Sequence, residues 1–177
     1  MQEISWKDNL RIAWFGCFLT GAIISLVVPF MPIFVEQLGI KGDQVAFYSG
    51  LAISVSAISA AFVSPIWGIL ADKYGRKPMM IRAGLAMTIT MGGLAFVPNV
   101  FWLLFLRFLN GVFTGFVPNA TALTASQVPK DRSGYALGTL STGVVAGTLT
   151  GPFVGGFIAE IFGIRNVFLL VGSFLFL

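Results

Sequence analysis

Five stretches of this 177-residue chain, at about 10–35, 46–71, 79–97, 101–126 and 134–162, are each long and apolar enough to read as a membrane crossing. An α-helix needs about 20 such residues to cross the hydrocarbon core. A sixth run opens near Asn166 and stops at Leu177. With 56% hydrophobic and 10% charged residues, the charges fall between the runs. That places the chain among integral membrane proteins of all-α class. In lipid every backbone polar group needs an internal partner, so a half-length last helix reads as part of something longer.

The connections carry unequal charge. Lys7, Arg11, Lys73, Arg76, Lys77, Arg82, Lys130 and Arg132 flank the N-terminus and the even connections, against Lys41 and Arg165 on the odd ones. This asymmetry predicts a cytoplasmic N-terminus in a multi-pass protein of a bacterial cell membrane. The +4 formal charge is thus a topology signal, and no nucleic-acid partner is expected. With no histidine and a single cysteine, Cys17, no metal site and no cofactor are expected. An enzyme is disfavoured for want of paired acids or a Ser/His constellation, and an ATP-driven pump because no GxxxxGK[ST] loop occurs.

Small residues carry the finer reading. Gly143, Gly147, Gly151, Gly155, Ala159 and Gly163 recur every four residues, a bulk-free ridge against which another helix can lie. Pro152 cannot donate to the carbonyl of Thr148, so a bend is expected there. Pro65, Gly68, Ala71-Asp72 and Gly75 are echoed by Pro152, Gly155, Ala159-Glu160 and Gly163, one three-helix unit later and inverted across the membrane. At the second connection, Asp72 and Arg76 stand four apart and can pair if the helix continues, Gly75 is a natural helix stop, and Pro78 suits a helix start.

The stretch Gly68-Ile-Leu-Ala71-Asp72-Lys73-Tyr74-Gly75-Arg76-Lys77-Pro78 resembles the cytoplasmic loop signature GxLADxxGRKP of the major facilitator superfamily. Arg107-Phe108-Leu109-Asn110-Gly111 resembles the second motif of that superfamily, with Asn110 where Gln is usual. Gly138, Gly147, Gly151-Pro152 and Gly155-Gly156 match the third motif, that of the antiporter branch. Pro29-Phe-Met-Pro32 is similar to a proline pair of the twelve-span drug/proton antiporters, and Gly115-Phe-Val-Pro-Asn119 extends the likeness to MdtG-type multidrug efflux proteins. The resemblance implies the N-terminal half of a twelve-helix carrier, a six-helix bundle of inverted 3+3 repeats whose partner half lies outside this chain. It implies export of drug-like amphipathic compounds against protons, with a sugar or other metabolite as the alternative cargo.

Arg107 lies about 10 Å below the outer surface, by 1.5 Å of rise per residue. An arginine at that depth is costly unless paired or wetted, and functional by default. With Asn110, Gly111, Thr114, Pro118 and Ala125 it forms a polar, small stripe expected to line the central cavity. Pro29 frees the carbonyl of Ser25 at a matching depth, so an Arg107–Ser25 hydrogen bond is expected. Gly68, Asp72, Gly75, Arg76 and Lys77 are expected to form a cytoplasmic gate, with Asp72 a latch and the proton-carrying acid in the other half.

Overall fold

The computed structural model describes residues 6–169, and these are almost wholly helical. Helix α1 spans Trp6–Gln37, α2 Gln44–Tyr74, α3 Arg76–Leu94, α4 Val100–Phe113, α5 Phe116–Gln127 and α6 Ser133–Phe162, with a 3-10 turn at Lys130–Arg132 before α6. Residues 164–169 are helical again and open the sixth run, the rest of which lies outside the described residues. Two stops are made by glycine at left-handed angles. Gly75, at φ +95°, ends α2 by donating its N–H to the Ala71 carbonyl at 3.0 Å, and Gly163, at φ +80°, does the same at Ala159. Asn99 starts α4 by accepting the Trp102 N–H at 3.1 Å.

The fourth run differs from the single helix expected over 101–126. It is divided at Thr114-Gly115 into α4 and α5. The cause is Pro118, which has no N–H for the Thr114 carbonyl and whose ring crowds it. Gly115 absorbs the turn at φ +130°. The third run also shifts, from 79–97 to Arg76–Leu94. Among the described residues four helical stretches are long and apolar enough to cross a membrane: α1, α2, Val100–Gln127 and Lys130–Phe162. α3 falls short because Lys77 and Arg82 dilute its apolar run.

The packing nevertheless requires α3 to traverse the bundle. α1 and α6 form the most extensive helix pair. A Cβ added to Gly143 would meet the Trp14 carbonyl oxygen, one on Gly147 that of Phe18, one on Gly151 that of Ala22, and one on Gly155 the Leu26 side chain. Both helices advance four residues per contact in the same direction, so they are parallel. With helices running alternately up and down, α6 parallels α1 only if α3 crosses between α2 and the α4–α5 pair. The same count sets α2 antiparallel to α6, as an inverted repeat demands.

Two apolar cores hold the bundle. One gathers Met31, Phe34, Met91, Leu94, Leu103 and Phe168, with Phe34 and Phe168 rings 5.1 Å apart. The other, toward the opposite end, gathers Leu10, Cys17, Ala120, Ala136 and Leu140. In contrast α2 buries little of its apolar length within this chain.

Candidate functional site

α4 is drawn onto α2 by small polar residues. Ser56 Oγ donates to the Arg107 carbonyl at 2.8 Å, and Ser59 Oγ to the Phe108 carbonyl at 3.1 Å. Gly111 lies so close to Ser56 and Ser59 that a Cβ there would collide with both. On the other flank Asn110 Nδ2 donates to Thr90 Oγ1 of α3 at 2.8 Å. These bonds fix the rotation of α4 and leave the Arg107 side chain one direction to take.

That direction is a cavity of about 220 Å³ between α1, α2 and α4, lined by Ile24, Val27, Val28, Ile53, Ser56, Ala57, Ala60, Met91, Arg107, Asn110, Gly111 and Thr114. Arg107 is only 6% exposed. Its Nε and Nη2 are buried without a hydrogen-bond partner. A cation so placed sets up a strong positive field in an apolar enclosure. A second cavity of about 480 Å³ shares Ala57, Ala60, Gly111 and Thr114 with the first and runs past Trp67, Gly68 and Pro118 to Asp72 and Arg76. Together they form one groove from Arg107 to the end of α2, lined by the predicted stripe from Arg107 to Pro118; Ala125, the last residue of that stripe, is exposed and does not line it.

The expected Arg107–Ser25 bond is not formed. Ile24 and Val28, four apart, turn one face of α1 to the cavity, whereas Ser25 is on the face that meets α6. There Ser25 Oγ donates to the Thr148 carbonyl at 2.6 Å. This is the carbonyl that Pro152 leaves without an N–H donor, so the bond closes a gap in α6 from the neighbouring helix. α6 continues through Pro152 as a helix.

At the end of the groove Asp72 and Arg76 pair at 2.8 Å, with Asp72 largely exposed, although α2 stops at Gly75 between them and does not continue as the expectation required. Gly68 has open space around it, and Lys77 is exposed. The glycine motif divides in two: Gly147, Gly151 and Gly155 are pressed on α1, but a Cβ on Gly138 or Gly156 would meet nothing within 4 Å. Gly143, outside the motif, completes the seam.

Trp67 and Arg82 belong to the site and are not singled out by the sequence except as an interfacial aromatic and a basic flank. Trp67 Nε1 donates to the Val112 carbonyl at 2.6 Å, and the Arg82 guanidinium lies 3.4 Å over the Trp67 ring. The one available signal was Pro118, three residues after Gly115, which marks the break they serve.

A family model described as Major Facilitator Superfamily matches residues 13–177. The chain is 86% identical over 177 residues to the multi-drug resistance efflux pump PmrA of Streptococcus pneumoniae, covering all of this chain and 44% of that protein. It is 58% identical over 174 residues to the PmrA homolog of Lactococcus lactis, covering 98% of the chain and 43% of the relative. To the multidrug resistance protein MdtG of Proteus mirabilis it is 51% identical over 174 residues, again covering 98% and 43%. The chain thus spans less than half the length of these relatives.

Proposed function

The chain belongs to the Major Facilitator Superfamily, and on that premise we propose that it forms the N-terminal six-helix half of a twelve-helix multidrug exporter. The carrier sits in a bacterial cell membrane with its N-terminus in the cytoplasm. It exchanges amphipathic, drug-like compounds for protons by alternating access. The second half covers the sparsely buried face of α2, and the groove between the halves receives the cargo.

The observation that carries this reading is the cavity at Arg107, an apolar chamber with a single buried cation and few hydrogen-bonding groups. Such a lining suits compounds recognised by shape and apolar area. A sugar presents many hydroxyls, and each needs a partner once desolvated. Asn110 and Ser56 already have partners, which disfavours the alternative cargo.

Asp72 and Arg76 act as the cytoplasmic latch, with Gly68, Gly75 and Lys77 shaping the loop between α2 and α3. The acids Glu36, Asp72 and Glu160 stand at helix ends, so the titrating carboxylate of the exchange is assigned to the second half. The test is dye efflux from vesicles holding the full-length carrier, with and without an inward proton gradient. Acceleration by the gradient supports exchange; identical rates refute it.

A further inference from the structure

Arg82 lies outside every motif discussed above, yet it meets the carbonyls at the break in the fourth run. At the break in the fourth run the carbonyls of Val112, Phe113 and Thr114 lose their ordinary donors, since the chain turns away at Gly115 and Pro118 has no N–H. Each is taken by a side chain. Val112 accepts from Trp67 Nε1 at 2.6 Å. Phe113 and Thr114 accept from Arg82 Nη2, at 3.4 and 3.2 Å. On the far side of the break, the Gly115 carbonyl accepts from Asn119 Nδ2 at 2.7 Å.

The guanidinium carbon also lies 3.4 Å over the centre of the Trp67 ring, a contact that strengthens when desolvated. The end of a helix carries partial negative charge, so a cation is the group its exposed carbonyls favour. Arg82 and Trp67 come from α3 and α2, and both grip the last turn of α4. On α3, Arg82 and Thr90 are eight residues apart, about 12 Å along the helix. They hold α4 at two points: Thr90 at Asn110, Arg82 at the break.

We propose that Arg82, stacked on Trp67, is a positioning residue of the exporter: it clamps the break between α4 and α5 and so fixes where Thr114 and Pro118 stand in the cargo groove. Lysine replaces it only in part. A single ammonium can donate to both carbonyls, as Nη2 does, but it lacks the planar guanidinium that stacks on the indole. Losing the clamp frees α5 to swing about Gly115, which widens the groove at Thr114 and Pro118. Cargo affinity then falls while the proton-driven turnover machinery stays in place.

This inference rests on the transport reading for its kinetic part alone, and its structural part is measured separately. In the full-length carrier with native cysteines replaced, spin labels at Phe105 and Thr121, both exposed, report the distance across the break. Labels at Phe62 and Phe105 serve as the control across α2 and α4. In Arg82→Met the first distance distribution broadens and shifts while the control stays fixed, and KM for dye rises about tenfold, the scale of a lost charged hydrogen bond. Arg82→Lys gives a smaller change of the same kind. Trp67→Phe, which keeps a ring and loses only the bond to Val112, also gives a smaller change. Should Arg82→Met fail to accumulate, the Lys and Phe variants decide the matter on the same distances. Distributions identical to the parent in all variants that fold overturn the clamp, whatever the dye assay reads. A parent carrier with no efflux at all would refute the transport reading and leave the distance result standing.

Discussion

Replacing Gly147 by alanine tests the α1–α6 seam at its tightest point. The new Cβ would fall on the Phe18 carbonyl oxygen and lie 2.8 Å from the Ala22 nitrogen and 2.9 Å from the Phe18 carbonyl carbon. Favourable contacts between such atoms need about 3.5–4.0 Å, so the helices must part by about 1 Å. The obstructing atoms are backbone and cannot rotate aside, as a side chain would. Overpacking of this kind costs about 1–3 kcal/mol. Gly138→Ala is the matched control, because nothing lies within 4 Å of its Cβ. Alanine also favours the helix over glycine by about 1 kcal/mol, and that gain is common to both variants. The difference between them therefore isolates the clash, at about 1–3 kcal/mol against Gly147→Ala. Reversible unfolding in mixed micelles, followed by tryptophan fluorescence, measures it. Equal stabilities would refute the seam as the reason for the motif's spacing.

Ser25→Ala leaves the Thr148 carbonyl without the donor that Pro152 also denies it, and lowers stability by about 1 kcal/mol in the same unfolding assay; no change would show that the bond contributes nothing. Arg107→Met removes a buried cation that has no hydrogen-bond partner at Nε or Nη2, so it leaves stability equal or higher by about 1 kcal/mol while abolishing efflux. Loss of folding instead would make Arg107 a structural residue. Asp72→Asn breaks an exposed pair worth under about 1 kcal/mol, so unfolding stays near the parent while efflux falls; unchanged efflux would remove the latch. Gly115→Ala forces a side chain into φ +130° and costs about 1–3 kcal/mol; a parent-like unfolding midpoint would contradict the strain at this turn.

Much of the fold was legible because the bilayer allows few solutions. Run length gave the helices, and four-residue glycine spacing gave the seam. The Asp72–Arg76 pair was expected of a continuous helix, yet it forms across the Gly75 stop between α2 and α3. The errors have a common origin in proline. Four interior prolines, Pro29, Pro32, Pro65 and Pro152, sit in continuous helices, whereas Pro118 breaks one because Gly115 stands beside the crowded Thr114 carbonyl and can turn away. The expected bond used the Ser25 carbonyl, freed by Pro29, as acceptor for Arg107; the bond found uses the Ser25 hydroxyl as donor to the Thr148 carbonyl, which Pro152 frees. The Trp67–Arg82 contact joins residues from different helices, and no spacing along the chain encodes it.

The central proposal is a groove at Arg107 that opens to one side of the membrane and then the other. Ala60 lines both of its sections. With Ala60→Cys as the single cysteine of the full-length carrier, a membrane-impermeant maleimide is applied from each side. Alternating access predicts labelling from both faces, with the balance moved by cargo and by a proton gradient. Labelling from one face alone, unmoved by either, would contradict it.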